Sequence, residues 1–436
     1  MEWSRFNIMF ESDRNGWLLY NSGSNSFVQM DDKAAESVKC VISNPDMDFT
    51  DRPDLYFKLR FGGFLVENGA DENLVRTLKM KRLMSNYSEK TLALAIAPTD
   101  RCNFGCSYCY EKNKTQSRMS DETEDKIIDF IKSRKTADSV YVEWYGGEPL
   151  LEFDRMQSLY RKIIDLGKGY TSCLITNGYL LTSDVIESLN KLKITFIQTT
   201  IDGSRESHDK RRYLLNGDGI YDKIVDNMDN LMNSDWKGTL QIRINLNKHN
   251  RDEFAEFYKF FRNRYPSTSE KSLRIYPGYI FDNDNPDNDM FCDAHEKGKF
   301  LASIVRDYGI TDYSLLPRKP LIGGCLMTKQ NAYMIGSDGE VYKCLTELGR
   351  DDAIIGKVGE PSKWNDSLMA EYLVGVSYLD DSNCLKCPFF PICDGGCHRL
   401  RLQNKRDGKN RDYCLPLKRN TKELLELNYE QKSLSK

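Results

Sequence analysis

A long alternation of two patterns is the feature of this sequence that most narrows its fold. From residue 91 to about residue 280, short β-rich runs are separated by longer stretches with helical periodicity. The runs lie at 91–98, 139–147, 171–178, 194–203, 239–247 and 272–280, and the helical patterns at 121–134, 153–166, 182–191, 219–232 and 250–262. Such alternation predicts an α/β fold on a parallel sheet, either open or closed into a barrel.

Polar or glycine-rich segments follow four of these runs. They read "TDRC" from Thr99, "GGEP" from Gly146, "TNG" from Thr176 and "TIDG" from Thr200. In parallel α/β folds, the loops that leave the carboxyl ends of the strands build the active site. We therefore expect these four loops to meet in one site.

The composition excludes several classes of function. The 436 residues carry a net charge of −3 with both signs interspersed, so no nucleic-acid partner is expected. No run of about 18 apolar residues and no secretory signal is found, so we expect a cytoplasmic protein with no membrane partner. Thirteen cysteines in such a protein indicate metal ligands or catalytic thiols rather than disulfides. The four histidines show no zinc-protease spacing.

Three of the cysteines, Cys102, Cys106 and Cys109, fall within eight residues of the loop after the first run. A structural zinc site normally has four protein ligands, and no fourth cysteine or histidine lies nearby in the sequence. Three thiolates on a 4Fe–4S cluster leave one iron open to a ligand that is not protein. An open cluster is the interpretation that explains why there are three thiols.

The stretch "CNFGCSYC" resembles the defining motif of the radical SAM superfamily. The resemblance implies a partial (β/α)6 TIM-like barrel over residues 89–285 and catalytic thiolates at Cys102, Cys106 and Cys109. It also implies S-adenosylmethionine on the open iron and a 5′-deoxyadenosyl radical that abstracts hydrogen from the substrate. The implied contacts to this cofactor are Tyr108 beside the adenine, Gly146, Gly147, Glu148 and Pro149 at the amine, Asn177 at the ribose, Thr200 at the ribose or carboxylate, Asp202 in the same loop, and Arg212 at the carboxylate.

The last seven cysteines resemble the SPASM domain of peptide-modifying radical SAM enzymes, over residues 320–416. The resemblance implies two auxiliary 4Fe–4S clusters, three clusters in all, with Cys325, Cys344 and Cys397 on the first and Cys384, Cys387, Cys393 and Cys414 on the second. The first cluster is one ligand short, so either Cys292 completes it or an iron stays open for a substrate thiol, which we favour. A zinc ribbon is the alternative for these spacings. Cys40 and Cys173 have no partner by spacing and are expected to be buried and inert.

Residues 1–88 are predicted to form a separate winged-helix unit. A hairpin signal spans Trp17 to Asp31, a helix begins at Asp31 or Asp32 and ends near Ile42, and a second helix spans 72–85. Such a module resembles the recognition element that captures the leader of a ribosomal precursor peptide by strand addition. A purely structural cap is the alternative. Residues 286–319 are assigned as a bridging region and 417–436 as a C-terminal helix and tail.

These resemblances predict a maturase of ribosomal precursor peptides that joins a cysteine thiol to a carbon atom by a thioether bond. A ferredoxin or flavodoxin is the expected electron donor. A carbon–carbon or carbon–oxygen crosslink is one alternative. Another is an anaerobic sulfatase-maturating enzyme, but in that branch an acidic residue follows the cysteine at the position of Cys344, and here Leu345 follows it. A zinc-binding peptide-recognition protein is the alternative without catalysis.

Overall fold

The computed structural model of the protein describes residues 1–111, 116–280, 294–311 and 324–434. Its N-terminal strands are β1 (Glu2–Trp3), β2 (Asn7–Ser12), β3 (Gly16–Asn21), β4 (Ser26–Met30) and β5 (Leu65–Val66), and its N-terminal helices are α1 (Asp32–Ser43), α2 (Pro53–Phe61) and α3 (Ala70–Asn86). The predicted start of α1 is confirmed, because the Asp31 carboxylate accepts a hydrogen bond of 2.8 Å from the Ala34 N–H and caps the helix.

The N-terminal strands form two small antiparallel sheets. Strands β2, β3 and β4 pair in that order, and β1 pairs with β5. The predicted hairpin is confirmed as β3 and β4, with Trp17 opposite Met30. The sequence analysis did not predict β2. In the three-stranded sheet, β2 and β4 are therefore the edge strands.

The predicted parallel sheet is present over the central region, and all six predicted strands are confirmed. The strands are β6 (Thr91–Ile96), β7 (Ser139–Trp144), β8 (Gly169–Ile175), β9 (Ile194–Thr200), β10 (Gly238–Leu246) and β11 (Lys271–Tyr279). The helices are α4 (Asp121–Ser133), α5 (Phe153–Ile164), α6 (Ser183–Ser188), α7 (Arg205–Arg211), α8 (Tyr221–Asn233) and α9 (Phe254–Arg264). Each strand pairs in parallel with the next one along the chain, as successive βα units do.

The C-terminal region adds three strands and six helices in the described residues. They are α10 (Ala294–Arg306), β12 (Ala332–Ile335), β13 (Glu340–Tyr342), β14 (Gly356–Lys357), α11 (Asp366–Ala370), α12 (Ser382–Leu385), α13 (His398–Asp407), α14 (Pro416–Arg419) and α15 (Thr421–Leu434). Strand β12 pairs in parallel with β6, and β13 and β14 continue the sheet in antiparallel fashion. The stretch after Lys329 therefore extends the central sheet.

The chain folds into two compact units that do not follow chain order. One unit, which we call the sheet unit, comprises Ser88–Cys292 and Lys329–Tyr372, and the other, the composite unit, comprises Met1–Tyr87, Asp293–Thr328 and Leu373–Lys436. In the composite unit Phe6 and Leu78 share a buried core with Tyr378, Leu379 and Phe390. The expectation of a separate N-terminal unit is corrected by this shared core.

The two cysteines expected to be inert differ in burial. Cys173 is buried on β8, as predicted, whereas Cys40 on α1 is exposed, which corrects the prediction for that residue. The buried stripe of α1 consists of Ala35, Val38 and Val41, and Cys40 lies off this stripe. No helix among the described residues has the length and apolar character that crossing a membrane requires.

Candidate functional site

The loop with three cysteines follows β6 and is held by backbone hydrogen bonds. All three thiol-bearing residues are partly exposed. The Gly105 N–H donates to Tyr213 O at 2.9 Å, and the Ser107 N–H donates to Arg211 O at 3.1 Å. These bonds fix the loop against the segment that follows α7, so the positions of Cys102, Cys106 and Cys109 do not depend on a ligand alone.

The GGEP loop after β7 packs directly on the start of this cysteine loop. A Cβ atom on Gly147 would lie 2.1 Å from Arg101 O and 2.5 Å from Asp100 O, and Gly146 adopts a φ of +115°. The Glu148 N–H donates to Arg101 O at 2.8 Å. The two glycines are therefore required for the close approach of two protein backbones. From the resemblance alone, their small size was expected to serve contact with the cofactor.

Glu148 lies at the centre of the strand-end loops and is fully buried. Its carboxylate accepts hydrogen bonds from the Asn177 N–H at 2.8 Å and the Thr176 hydroxyl at 2.8 Å. It also accepts one from the Leu150 N–H at 3.0 Å, at the start of the 3₁₀ turn that begins with Pro149. Burial raises the pKa of Glu148 to about 7, although these bonds oppose the shift. A carboxylate offers about four acceptor positions, so one remains for a further donor.

Asn177 connects the third strand-end loop to the cysteine loop. Its amide donates to Asn103 Oδ1 at 2.8 Å and approaches Cys102 Sγ at 3.9 Å. Its own carbonyl oxygen accepts from the Tyr179 N–H at 3.0 Å. The predicted neighbourhood of Asn177, Glu148 and Cys102 is therefore present in the structure.

Tyr108, Asp202 and Arg212 form one hydrogen-bonded group on the other side of the cysteine loop. The Tyr108 hydroxyl donates to Asp202 and accepts from Arg212 Nη1 at 2.9 Å and from Asn245 Nδ2 at 3.1 Å. Burial alone would lower the pKa of Arg212, but nearby Tyr108 and Cys106 hold it above its ordinary value. Thr200, the last residue of β9, lies beside Arg243 on β10.

Arg212 Nε and Asn103 Nδ2 are among the buried donors of this region that have no hydrogen-bond acceptor among the described residues. An unpaired buried donor is costly, so both atoms suit a ligand that brings acceptors such as carboxylate oxygens. Together with three thiols on one loop and the free acceptor position of Glu148, these donors fit an amino-acid-bearing nucleoside on an iron–sulfur cluster.

The sheet presents a second group of polar residues that the sequence analysis missed. We call it the polar face and define it by Tyr141, Glu143, Tyr145, Arg243 and Tyr276, all partly exposed. The stretch "SVYVEWYGG" carries the sequence pattern of such a face. Val140, Val142 and Trp144 are buried on the opposite face, and they alternate along the chain with Tyr141, Glu143 and Tyr145.

The polar face reaches the cysteine loop. The hydroxyl of Tyr145 is hydrogen-bonded to that of Tyr110, the residue directly after Cys109. Burial raises the pKa of Glu143, whose carboxylate lies 3.8 Å from the Cys173 thiol. Glu143 is therefore a carboxyl group that holds a proton more readily than an exposed one does.

Four of the C-terminal cysteines line one cavity in the composite unit. They are Cys384, Cys387, Cys393 and Cys414, the set predicted for the second auxiliary cluster, and Arg401 and Lys418 line the same cavity. Burial raises the pKa of the Cys393 thiol to about 11. A metal that binds Cys393 would therefore have to displace the proton of its thiol.

Four thiols around one cavity fit a four-iron cluster by the chemistry of their donor set. Zinc also takes thiolate ligands and stays the alternative for these cysteines. No three His, Cys, Asp or Glu side chains within the described ranges converge closely enough to hold a single metal ion.

The three cysteines predicted for the first auxiliary cluster are distributed over both units. Cys325 and Cys397 are exposed residues of the composite unit, and Cys344 is a partly exposed residue of the sheet unit. Their grouping stays a prediction. Cys292 lies outside the described residues.

The comparisons with known proteins agree on the central region. The model of the radical SAM superfamily matches residues 96–261. A cysteine-type anaerobic sulfatase-maturating enzyme of Clostridium novyi is 25% identical over 388 residues, which are 79% of this chain and 99% of that protein.

Two solved structures share the fold at low sequence identity. "Native anSMEcpe with bound AdoMet" has a TM-score of 0.58 at 19% identity and covers 79% of this chain and 98% of that one. Streptococcus suis SuiB bound to its precursor peptide SuiA has a TM-score of 0.50 at 15% identity and covers 95% of this chain and 98% of that one.

Proposed function

We propose that this chain, an enzyme of the radical SAM type related to sulfatase maturases, joins a cysteine thiol of a ribosomal precursor peptide to a carbon atom by a thioether bond. The observation that carries the proposal is the division of the last seven cysteines. Four of them share one cavity. The other three, Cys325, Cys344 and Cys397, are the ligands that the SPASM resemblance implies for a first auxiliary cluster, and we propose that its fourth iron is open to a substrate thiol rather than bound by Cys292.

S-adenosylmethionine is the proposed cofactor at the strand-end loops, on a cluster held by Cys102, Cys106 and Cys109. The buried carboxylate of Glu148 receives its amine, and Arg212 Nε and Asn103 Nδ2 are the buried donors for its oxygen atoms. When bound, the cluster and S-adenosylmethionine together supply a 5′-deoxyadenosyl radical that takes one hydrogen atom from the peptide. Asn177, Thr200, Tyr108 and Asp202 stay proposed contacts.

Formation of the thioether removes two hydrogens from the peptide. The acceptor carbon loses one hydrogen atom and the thiol loses one proton. One electron leaves when carbon and sulfur bond, and an auxiliary cluster is the group that takes it up. The product is lighter than the precursor by two hydrogens. A ferredoxin or flavodoxin is the proposed source of the electron that starts each turnover.

The surroundings of Leu345 argue against the sulfatase-maturating reaction. Leu345 follows Cys344 and packs in a hydrophobic cluster with Ala97, Met334 and Tyr145. An apolar side chain in apolar contact cannot accept a proton. A proton acceptor has to come from another element.

We assign that role to Glu143 of the polar face, which supports the thioether proposal. Glu143 is partly exposed, burial raises its pKa so that the carboxyl accepts a proton more readily than an exposed one does, and Tyr145 links its strand to the cysteine loop. In E143Q we expect deoxyadenosine to form at the rate of the unchanged protein, while the crosslinked product falls about 100-fold. Equal loss of both products would contradict the assignment.

The N-terminal elements are the proposed site for the leader of the precursor. Strands β2 and β4 are the outer strands of their sheet, and an outer strand is where a further strand can be added. The SuiB structure with its bound peptide covers 95% of this chain, whereas the sulfatase-type structure covers 79%. Capture of the leader raises the local concentration of the core peptide.

The decisive experiment combines anaerobically reconstituted protein, S-adenosylmethionine, a reductant and the precursor peptide from the neighbouring gene. A product lighter by two hydrogens with one blocked thiol supports the thioether. An aldehyde in the product identifies the sulfatase-type reaction, and the same mass loss with every thiol free identifies a carbon–carbon or carbon–oxygen crosslink. Stoichiometric zinc without iron would leave only the peptide-recognition function.

A further inference from the structure

A buried arginine, Arg401, contacts one of the four cysteines that line the cavity. Arg401 of α13 is only 8% exposed, and all three of its guanidinium nitrogens are engaged. Nη2 lies 2.7 Å from Cys384 Sγ, Nε donates to Gly395 O at 2.7 Å, and Nη1 donates to Asp381 Oδ2 at 2.9 Å. The guanidinium carbon also lies 4.1 Å from the centre of the Tyr413 ring. Arg401 therefore has one fixed position.

Asp381 is the counterpart of Arg401 at the same thiol. It caps α12 by accepting from the Asn383 N–H at 2.8 Å, and its Oδ2 lies 3.6 Å from Cys384 Sγ. The cap orients the short helix that carries Cys384. A positive and a negative group thus contact one sulfur atom from two different elements.

One further N–H group and one further cation lie at the cavity. The Gly395 N–H donates to Cys393 Sγ at 3.3 Å, and Lys418 of α14 lines the cavity. A four-iron cluster with four thiolate ligands is an anion, and it gains a further negative charge when it is reduced. Cations and N–H···S hydrogen bonds stabilise the reduced form and raise the reduction potential.

We infer that Arg401, held by Asp381, is a positioning residue that fixes Cys384 as a cluster ligand and raises the reduction potential of the cluster on Cys384, Cys387, Cys393 and Cys414. Asp381 has the opposite electrostatic effect on the same ligand. The two residues together tune this cluster as an acceptor of electrons. The inference rests on the second auxiliary cluster of the proposed function.

The experiment is a redox titration of the full-length, anaerobically reconstituted protein, followed by electron paramagnetic resonance. The triple variant C102A/C106A/C109A is the background, because it removes the signal of the cluster on the Cys102 loop. The signal that is then lost in C384A/C387A identifies the cluster of the cavity. In this background we compare R401M, R401K and D381N with the unchanged cavity. K405M is the matched control, since Lys405 is an exposed cation on the same helix.

We expect R401M to move the potential of this cluster to more negative values and D381N to move it to more positive values. R401K should shift less than R401M, because lysine keeps the charge but loses the fork of donors. K405M should leave the potential unchanged, since water screens an exposed charge. A purely structural role of Arg401 would lower the iron content without shifting the potential in opposite directions.

Two results would overturn the inference. One is an unchanged potential in R401M, and the other is a shift of R401M and D381N in the same direction. Should R401M fail to assemble the cluster, R401K and D381N still provide the comparison. Failure of the cluster assignment itself is distinguishable, because C384A/C387A would then retain the iron content of the unchanged protein.

Discussion

Glu148 combines full burial with hydrogen bonds to three neutral donors. The donors to its carboxylate among the described residues are all neutral, so desolvation decides the direction of its pKa shift, which is upward to about 7. The folded protein then binds a proton at this site at pH values where the unfolded chain does not. Ionised Glu148 is a cost to stability that a bound ammonium group would offset.

The first prediction concerns E148Q without cofactor. The unfolding free energy of the unchanged protein should fall as the pH rises from about 4.5 to 7, by at most about 3 kcal/mol, because the folded pKa lies above the unfolded one. E148Q should lack this decline and be the more stable protein above pH 7. Urea unfolding between pH 5 and 8 measures the difference.

The matched control is E187Q, because Glu187 is an exposed carboxyl in the same unit. It should follow the pH dependence of the unchanged protein. E148Q should also bind S-adenosylmethionine more weakly once the cluster is reconstituted. A pH dependence in E148Q equal to that of the unchanged protein would refute the burial argument.

Single residues differ in how far the sequence predicts them. Cys102, Glu148, Asn177 and Arg212 were singled out by their resemblance to the motifs of the radical SAM superfamily. That the loops of Cys102, Glu148 and Asn177 meet was predicted because loops at strand ends converge in a parallel α/β fold. The side chains that surround these residues were not predicted, since contacts such as that of Asn177 with Asn103 join positions 74 apart in the sequence. Arg401 was missed because nothing in the local sequence indicates that it contacts Cys384.

Among the elements, the GGEP loop and the cysteine loop behave as one structural piece. Backbone bonds join Glu148 to Arg101 and Gly147 to Thr99, at 2.8 Å and 3.2 Å. The glycines exclude side chains from this contact. The geometry of the proposed cluster loop is therefore set in part by a different strand.

The second prediction is that G147A displaces the cysteine loop while the sheet stays folded. The added Cβ would clash with backbone oxygens, which cannot move aside as a flexible side chain can. A displacement of about 1 Å should lower deoxyadenosine formation about 100-fold. Iron content and deoxyadenosine yield measure the effect, and circular dichroism checks the fold.

G169A is the control for this variant, because its Cβ would contact Ser139 Cβ at 3.2 Å without meeting any backbone oxygen more closely than 3.6 Å. It lies at the start of β8, at the end of the sheet away from the strand-end loops. Normal deoxyadenosine formation in G147A would show that the two loops are independent.

The elements themselves were largely predictable from the sequence. The six central strands have β-branched runs and alternate with amphipathic helices, and both patterns are local. Strand β12 was not predicted, because its pairing of Ala332 with Ala93 joins residues more than 200 positions apart. All four residues of β12 are buried, so the strand does not show the alternation of buried and exposed residues by which a half-exposed strand is recognised.

At the scale of the whole molecule, the composite unit is assembled from three separated stretches of chain. Helix α3 contributes Arg82, which is 1% exposed and donates to Phe390 O at 2.8 Å and to Pro391 O at 3.2 Å. Its guanidinium also lies over the Phe390 ring at 4.6 Å. The turn Phe390–Ile392 directly precedes Cys393. The N-terminal stretch thus supports the wall of the cysteine cavity.

The third prediction is that R82M weakens the cavity across more than 300 positions of sequence. Two buried carbonyls lose a charged donor, at a cost of about 1–3 kcal/mol each, so the unfolding free energy of the composite unit should fall. The cluster proposed at Cys384, Cys387, Cys393 and Cys414 should be lost faster under a chelator, whereas the cluster on the Cys102 loop should be lost at the unchanged rate.

K81M is the matched control, because Lys81 is an exposed cation on the same helix. Equal rates of iron loss in R82M and K81M would mean that residues 1–87 act only on the peptide and not on the cluster, and deletion of these residues would then leave the iron content intact.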